Sequence, residues 1–345
     1  MNSFFKILPL VFIILVSCTQ NNVKEVYTLS GTTMGTTFSI KVVKESKFAE
    51  ENYTSINSDV DLLLKEVNRQ MSTYIPTSEI SEFNKSESTD WIGVSEDFAF
   101  VVNEALKLGE DSEGYFDITI GALVNLWGFG PENRPTIIPT DEEIAERMKE
   151  VGFSKISVKF NLPMLKKSNP KMYIDLSAIA KGFGVDKVAE YFNSKGYKDY
   201  MVEIGGEVRT RGKNQDSEDW RIGISTPDSK MGIQKVANIS NLAMATSGDY
   251  YNYFEKDDIR FSHTIDPKNG KPITHKLASV TVLHKSCAMA DGIATAINVM
   301  GPIKGYEFAL KKKLTIFMIV RENNKFIEKM SPEFKKVLTK AKVSE

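Results

Sequence analysis

Residues 173–192 read YIDLSAIAKGFGVDKVAEYF, and this stretch decides how the rest of the chain is interpreted. It predicts a short buried strand that ends at Asp175, a tight turn of small residues, and then an amphipathic helix. The helix is indicated by apolar residues at helical spacing, which are Val185, Val188, Ala189 and Phe192. Gly182 and Gly184 would let another backbone segment approach the start of this helix closely.

The same turn has a chemical implication. It would place exposed N–H groups and the positive end of a helix dipole beside one carboxylate, Asp175, and one lysine, Lys181. Such a site suits an anionic ligand that bears phosphate, with or without a metal ion. From this stretch alone, an ordinary strand–helix junction is an equally open interpretation.

Composition and net charge limit the classes of protein to which this chain can belong. The chain has 345 residues, of which 41% are hydrophobic and 26% charged, as expected for a globular protein of one large or two ordinary domains. A net charge of −1 with interspersed Lys and Glu gives no basic face for nucleic acid. The two cysteines, Cys18 and Cys287, are far apart and support neither a disulfide framework nor a cysteine-based zinc site.

The first residues predict export. Residues 7–16 are an apolar run too short to span a membrane, and the segment ends in LVSC at residues 15–18, which resembles the bacterial lipoprotein signal. We expect residues 1–18 to be a signal peptide, Cys18 to carry lipid, and residues 19–27 to form a tether. Lipid chains on Cys18 would hold the protein at the periplasmic face of the inner membrane or at the outer membrane. A plain secretory signal with a chance cysteine is the alternative.

Strand and hairpin patterns predict an α+β fold, with mixed or antiparallel sheets, flanking helices and a cleft between two lobes. The segment 261–273 is a hairpin pattern around Asp266-Pro267-Lys268-Asn269-Gly270. Residues 115–120 look like a strand that leads to a glycine-punctuated turn, and the chain is expected to end in a charged tail after residue 325. Ser95 and Thr140 are predicted to cap the starts of two helices. No linker divides residues 28–345, which are predicted to form one domain.

Three places offer groups for chemistry. They are Asp175 with the turn carbonyls around Ala178, the pair Asp291 and Thr295 four residues apart on one helix face, and His263 beside the hairpin. A carboxylate, a hydroxyl and a main-chain carbonyl are donors that Mg²⁺ accepts. Neither a Walker motif nor a clean GxGxxG motif is present, and the i, i+4 spacing alone is weak support for a metal.

Two further residues are ambiguous. Met34 lies between glycines, where it could pack on a flat ring or be incidental to a hairpin. Tyr74 lies in a polar loop, where it could stack on an aromatic ligand or cap the core. Cys287 is expected to be a small buried residue rather than a nucleophile.

Eight segments occur in the order found in one known family: GTTMGTT, STY, FDITIGALVNLWGFG, IDLSAIAKG, EIGGE, ATSGDY, HTIDPKNGKP and ADGIATA. Over residues 28–322 the chain resembles the ApbE family, the bacterial FAD:protein FMN transferases. The resemblance implies an ApbE-like (T-fold-like) architecture and Mg²⁺-dependent transfer of the FMN half of FAD to a Thr or Ser hydroxyl of a partner protein, with release of AMP. The implied acceptors are subunits of membrane redox complexes and other extracytoplasmic flavoproteins.

The resemblance also implies roles for particular residues. Asp291, Thr295 and the main-chain oxygen of Ala178 match metal ligands, and His263 matches a proposed general base. The residues that match FAD contacts are Met34, Tyr74, Tyr115, Phe116, Asp117, Asp175, Lys181 and Ile265. Relatives also carry Glu at the position of Lys181, so its contact is the least defined of the set.

Two other activities fit the same residues. Water in place of the protein hydroxyl would make the chain an FAD pyrophosphatase that releases FMN and AMP. A lipid-anchored protein that binds FAD without turnover is the other alternative.

The lipoprotein assignment predicts that cells grown with radiolabelled fatty acid incorporate the label into this protein. Cys18→Ala should abolish the labelling, because the thiol of Cys18 is the expected acylation site. Labelling and immunoprecipitation of the two forms measure this. Label retained by the Cys18→Ala variant would contradict the anchor.

Overall fold

The structure is a computed structural model that describes residues 24–131, 138–227, 232–248, 253–256, 259–323 and 325–342. The predicted signal peptide, Cys18 included, lies outside the described residues. The first strand begins at Val26, inside the segment predicted as a tether. Within the described part of the chain, every helix is too short or too polar to cross a membrane.

The strands are short and follow each other mostly as hairpins. They are β1 Val26–Thr33, β2 Thr36–Val43, β3 Ile92–Gly93, β4 Ile156–Lys159, β5 Met164–Lys167, β6 Tyr200–Ile204, β7 Glu207–Arg211, β8 Trp220–Ser225, β9 Ile233–Ile239, β10 Ala243–Gly248, β11 Tyr253–Lys256, β12 Ile259–Ser262, β13 Ile265–Asp266, β14 Lys271–Pro272, β15 Leu277–His284, β16 Thr315–Glu322 and β17 Lys325–Met330.

The helices are interspersed between these hairpins. They are α1 Glu50–Met71, α2 Glu79–Lys85, α3 Glu96–Asp111, α4 Gly121–Leu126, α5 Asp141–Met148, α6 Ala180–Ser194, α7 Cys287–Lys311 and α8 Pro332–Lys342, with a 3₁₀ turn at Phe153–Lys155. Ser95 and Thr140 cap α3 and α5 with their side chains, as the sequence predicts.

A large antiparallel sheet organises the described residues. Its strand order is β1-β2-β6-β7-β10-β15-β16-β17, and each neighbouring pair in it is antiparallel. The helices α6 and α7 contact the central strands β7, β10 and β15, and α8 contacts β16. The predicted α+β class with antiparallel sheets is therefore confirmed.

Alternation along β16 shows that both faces of this sheet are covered. Ile316, Met318 and Val320 join the apolar cluster that contains α3 and α7 residues. Phe317 and Ile319 point the other way, into a second cluster with residues of β8, β9 and α8. Successive strand residues face opposite sides, so a continuous apolar run is what a doubly covered strand requires.

The predicted tail after residue 325 is wrong, because β17 extends to Met330 and α8 follows it. Phe334 of α8 is fully buried and stacks on Phe317 with ring centroids 5.6 Å apart. Its burial, roughly 2 kcal/mol for a side chain of this size, anchors a helix in which five of the eleven residues are charged.

The predicted strand at residues 115–120 is also wrong. One isolated parallel bridge joins Ile120 to Tyr173, and the Asp175 N–H donates to the Ile118 carbonyl at 2.8 Å. The reason lies in Asp117, whose Oδ1 accepts hydrogen bonds from the N–H and hydroxyl of Thr119. Such local bonds hold the backbone in a turn and compete with a strand ladder. The following glycine-punctuated segment begins as the helix α4, and the predicted turn is confined to its aromatic end, at Trp127 and Gly128.

The helix α6 forms as predicted, and Val185, Val188, Ala189 and Phe192 are all fully buried. The expected close approach occurs at Gly182, where a Cβ atom would lie 2.4 Å from the main-chain oxygen of Cys287. Glycine is therefore required where α6 crosses the start of α7. Cys287 is fully buried, and burial raises the pKa of its thiol, as expected for a residue that is not a nucleophile.

The start of α7 is held by a carboxylate from α6. Asp186 accepts hydrogen bonds from the N–H groups of Cys287 and Ala288, at 2.9 and 3.0 Å. It also accepts from the Ser286 hydroxyl at 2.7 Å and from the Arg209 guanidinium of β7 at 2.6 Å. These bonds satisfy N–H groups that have no partner inside the helix and place a negative charge at its positive end. Asp186 thus joins α6, α7 and the sheet.

We predict that Asp186→Ala lowers the free energy of unfolding by about 2–4 kcal/mol, because it removes the cap and leaves Arg209 without its partner. Urea unfolding followed by circular dichroism measures this. Asp61→Ala is the control, because Asp61 forms an exposed i, i+4 pair with Lys65 and should change stability by less than about 0.5 kcal/mol. Equal effects of the two substitutions would contradict the assigned role of Asp186.

Candidate active site

The two regions that carry the predicted cation ligands are in contact. Asp291 of α7 is 5% exposed, and its Oδ2 accepts a hydrogen bond from the Gly182 N–H at 3.1 Å. Lys181 Nζ lies 3.7 Å from the other carboxylate oxygen, Oδ1. The bend before α6 and the small-residue helix α7 therefore meet at the Asp291 carboxylate.

This contact changes the hydrogen bonding of Ala178. In a regular helix the Gly182 N–H would donate to the carbonyl four residues earlier, which is that of Ala178. Here it donates to Asp291 instead, and among the described residues none donates a hydrogen bond to the Ala178 oxygen. That oxygen keeps both lone pairs for another partner.

These donors fit a hard divalent cation. Asp291 supplies a carboxylate, Ala178 a main-chain oxygen, and Thr295 a hydroxyl from the next turn of α7, where its side chain is half-buried. No group of three His, Cys, Asp or Glu side chains is placed to hold a metal in the described ranges. The predicted set contains one such side chain and takes its other donors from a hydroxyl and a carbonyl.

Glu207, at the start of β7, is a part of the site that the sequence analysis missed. Its Oε1 lies 2.9 Å from Lys181 Nζ, and its side chain is 4% exposed. Burial raises the pKa of the Glu207 and Asp291 carboxyls, and the neighbouring Lys181 opposes the rise. Burial acts to lower the pKa of Lys181, but the two carboxylates outweigh it and raise that pKa above its usual value. Glu207 is the last residue of the EIGGE segment, but nothing in the spacing of that segment from Lys181 indicated that the two residues would pair.

Met34 reaches the same helix from the turn between β1 and β2. Its backbone is left-handed, with φ 49°. Its Cε lies 2.7 Å from where a Cβ at Gly184 would be, so Gly184 makes room for this side chain. The sequence placed Met34 between glycines, and the structure adds that it packs on the first turns of α6, which begin beside Lys181.

Tyr115, Phe116 and Asp117 follow one another in three different environments. The Tyr115 hydroxyl accepts a hydrogen bond from Lys304 at 2.9 Å, and Lys268 lies 5.4 Å from the ring centroid. Phe116 is 2% exposed and packs beside Gly292, next to Asp291. Burial raises the pKa of Asp117, against hydrogen bonds from Thr119 and the Phe153 N–H. The Phe116 and Asp117 side chains are thus occupied within the protein, and we expect any ligand contact there to use main-chain atoms.

Tyr74 and His263 are linked by a residue that the sequence analysis did not single out, Phe129. The Tyr74 hydroxyl donates to the Phe129 carbonyl at 3.4 Å, and the Phe129 ring lies edge-on to the His263 ring at 6.4 Å between centroids. Tyr74 is 67% exposed. Ile265 is 1% exposed in a cluster with Leu123, Trp127 and Ile144 and supports this region from inside.

A third feature that the sequence analysis missed is a pair of polar residues that bind the main chain before the bend. Asn84 exchanges two hydrogen bonds with the main chain of Ile174, at 2.9 and 2.8 Å. Lys167, fully buried, donates to the carbonyls of Phe83, Asn84 and Met172 at 3.0, 3.2 and 3.4 Å. Burial lowers the pKa of Lys167. Together Asn84 and Lys167 fix the main chain that leads into Asp175.

Asp175 and Ala178 lie on the turn that Asn84 and Lys167 position, and we call Asn84 and Lys167 the clamp. Asp175 Oδ1 accepts a hydrogen bond from the Ser177 N–H at 2.7 Å, so the carboxylate shapes the turn and is only half-buried. Ala178 is half-buried against the large apolar cluster. The geometry thus brings together Ala178, Lys181 and Asp291, with Met34 packed on the same helix.

Comparison with known proteins gives the family. A sequence model described as the ApbE family matches residues 34–319. The chain belongs to the ApbE family. It is 47% identical to the FAD:protein FMN transferase of Vibrio cholerae over 90% of this chain and 92% of that protein. It is 44% identical to the enzyme of the same name from Haemophilus influenzae, over 91% of this chain and 92% of the relative.

A solved ApbE structure confirms the fold. The flavin transferase ApbE from Vibrio cholerae superposes with a TM-score of 0.84 at 45% sequence identity, over 91% of this chain and 99% of that one. The ApbE-like architecture expected from the sequence motifs is therefore that of this protein.

The clamp generates a prediction for ligand binding. Lys167→Met should weaken FAD binding about tenfold, because the loss of three hydrogen bonds frees the main chain before Asp175. Quenching of FAD fluorescence in a titration measures the affinity, and a melting curve checks folding. The adjacent Lys166, which faces away from the core and is partly exposed, gives the matched control Lys166→Met. A folded Lys167→Met variant with unchanged FAD affinity would count against the clamp.

Proposed function

We propose that this ApbE-family protein is an FAD:protein FMN transferase that uses Mg²⁺ and releases AMP. The observation that carries the proposal is the junction of Asp291 with the bend at Gly182, which leaves the Ala178 carbonyl available beside a buried carboxylate. The relatives from Vibrio cholerae and Haemophilus influenzae that bear this enzyme name support it.

The reaction balances as a phosphoryl-group exchange. A Thr or Ser hydroxyl of the acceptor attacks the phosphorus on the FMN side of the FAD pyrophosphate. A new oxygen–phosphorus bond forms, the bond from that phosphorus to the bridging oxygen breaks, and AMP leaves with the bridging oxygen. The hydroxyl proton passes to a base, for which we propose the His263 imidazole.

The protein's own groups have separable tasks in this scheme. Lys181 offsets negative charge on the pyrophosphate, since its side chain is 31% exposed and its ammonium is held beside Asp291. Tyr74 is largely exposed and is suited to stack on a flat ring system. The Phe129 carbonyl accepts a hydrogen bond from the Tyr74 hydroxyl, and the Phe129 ring lies edge-on to the His263 ring. Mg²⁺, when bound by Asp291, Thr295 and the Ala178 oxygen, would neutralise pyrophosphate charge and make phosphorus more electrophilic.

The place of action is also a proposal. We propose that the protein is exported and anchored through lipid on Cys18, and that its acceptor is an extracytoplasmic flavoprotein, such as a subunit of a membrane redox complex. This rests on the LVSC segment and on the family resemblance.

Release of AMP separates the three candidate activities. The purified protein is incubated with FAD and Mg²⁺, with and without an acceptor domain, and AMP is measured by chromatography. AMP that depends on the acceptor, together with flavin fluorescence on the acceptor band, supports transfer. AMP without acceptor indicates a pyrophosphatase, and no AMP in either case indicates a binding protein.

We predict that Asp291→Ala lowers acceptor-dependent AMP release at least about a thousandfold, because a residual cation site would lack its carboxylate. Asp291→Asn, which keeps the shape and the Gly182 contact, should be similarly impaired. Asp90→Ala, at an exposed position, is the control and should retain wild-type release. Full activity of the Asp291→Asn variant would remove Asp291 from the cation site.

A further inference from the structure

Lys181 lies between two buried carboxylates, and its ammonium is closer to one of them than to the other. Its Nζ is 2.9 Å from Glu207 Oε1 but 3.7 Å from Asp291 Oδ1. The first distance is that of a charge-assisted hydrogen bond, whereas the second is too long for one. Glu207 is therefore the hydrogen-bonding partner of Lys181, and Asp291 is a neighbour at ion-pair distance.

The position of Glu207 is fixed by its backbone. Gly205 and Gly206, both with positive φ, make the turn between β6 and β7, and Glu207 opens β7 opposite Ile204. Its side chain is 4% exposed, and Glu207 Oε2 is buried with no hydrogen-bond partner among the described residues. A buried carboxylate with one oxygen unpaired is costly, and Lys181 is the cation beside it that offsets the cost.

Asp291 is left with one oxygen available. Its Oδ2 is taken by the Gly182 N–H, while Oδ1 faces Lys181 at a distance beyond hydrogen bonding. If Lys181 Nζ approached Asp291 Oδ1 as closely as it approaches Glu207 Oε1, the ammonium would donate a hydrogen bond to that oxygen. A lysine in full contact with Asp291 and a divalent cation on the same carboxylate exclude each other, because like charges at such separations repel strongly.

We propose that Glu207 is a positioning residue that holds Lys181 off Asp291 and so keeps the Asp291 carboxylate available to a divalent cation. This rests on the proposed function, since it assigns the cation to Asp291. It goes further in naming a competitor for that carboxylate within the protein and the residue that restrains it. Glu207 acts through Lys181 and touches neither the cation nor FAD.

The proposal makes the effect of Glu207 conditional on Lys181. When Glu207 is neutralised, the ammonium turns to Asp291, which is then its nearest carboxylate among the described residues, and cation affinity falls. When Lys181 is also neutralised, no competitor remains and Glu207 becomes dispensable. A residue that served as a ligand, or that acted only by its own negative charge, would matter equally in both backgrounds.

A double-mutant cycle tests this. Mn²⁺, which shares the preference of Mg²⁺ for oxygen donors, is titrated into the FAD-saturated protein without acceptor, and free Mn²⁺ is followed by electron paramagnetic resonance. FAD alone provides the blank. The forms compared are wild type, Glu207→Gln, Lys181→Gln and the double variant, each checked by a melting curve. Gln is nearly isosteric with Glu, and Glu207→Asp provides a second probe that keeps the charge but shortens its reach.

We expect Glu207→Gln to weaken Mn²⁺ binding about tenfold in the wild-type background and less than about threefold in the Lys181→Gln background. Lys181→Gln alone should bind Mn²⁺ at least as tightly as wild type. Glu207→Asp should fall between wild type and Glu207→Gln, because its carboxylate reaches Lys181 less well.

Other outcomes overturn the proposal in distinguishable ways. An equal loss in both backgrounds would show that Glu207 acts on the cation directly, and no loss in either would remove it from the site. In both cases the proposed function stands, since wild type binds the cation. If wild-type protein binds no Mn²⁺ beyond the FAD blank, the cation assignment of the proposed function fails together with this inference.

Discussion

The contact between α6 and α7 is the constraint from which the site follows. Asp186 of α6 receives the first N–H groups of α7 and the guanidinium of Arg209 from the sheet. Gly182 has no side chain, so the two backbones can approach each other closely. Once these helices are locked together, Asp291, one turn into α7, necessarily faces the first turn of α6. The hydrogen bond from Gly182 to Asp291 is thus a consequence of helix packing.

Electrostatics explains why such a junction suits a cation and a pyrophosphate. Glu207 and Asp291 are two buried carboxyl groups beside one ammonium, and burial imposes a cost on their charged forms. The positive end of α6 and Lys181 offset part of this cost. The divalent cation that we propose would offset more of it and would attract phosphate oxygens in turn. Stability and ligand affinity are set here by the same charges.

Some residues of the site shape the surrounding backbone, whereas others present their side chains at the surface. Several residues that match the family's flavin contacts, such as Phe116 and Ile265, are packed in apolar clusters and set the shape of the surrounding backbone. Others, such as Tyr74, are exposed. Two polar residues remote from the motifs, Asn84 and the buried Lys167, fix the bend through main-chain carbonyls and N–H groups. Substitution data on this family would therefore mix direct and positional effects.

The sequence by itself determined the α+β class, the helix 180–194 with its buried stripe, the caps at Ser95 and Thr140, and the motif residues that identify the family. These depend on periodicity and local hydrogen bonding, which are properties of neighbouring residues. It misjudged residues 115–120, where Asp117 turns the chain, and the last helix, which one buried phenylalanine anchors. Only the tertiary structure decided that Glu207 meets Lys181, that Phe129 joins Tyr74 to His263, and that Gly182 donates to Asp291. Those contacts join residues far apart in the chain, and their partners are chosen by how the sheet and helices pack rather than by any spacing along the sequence.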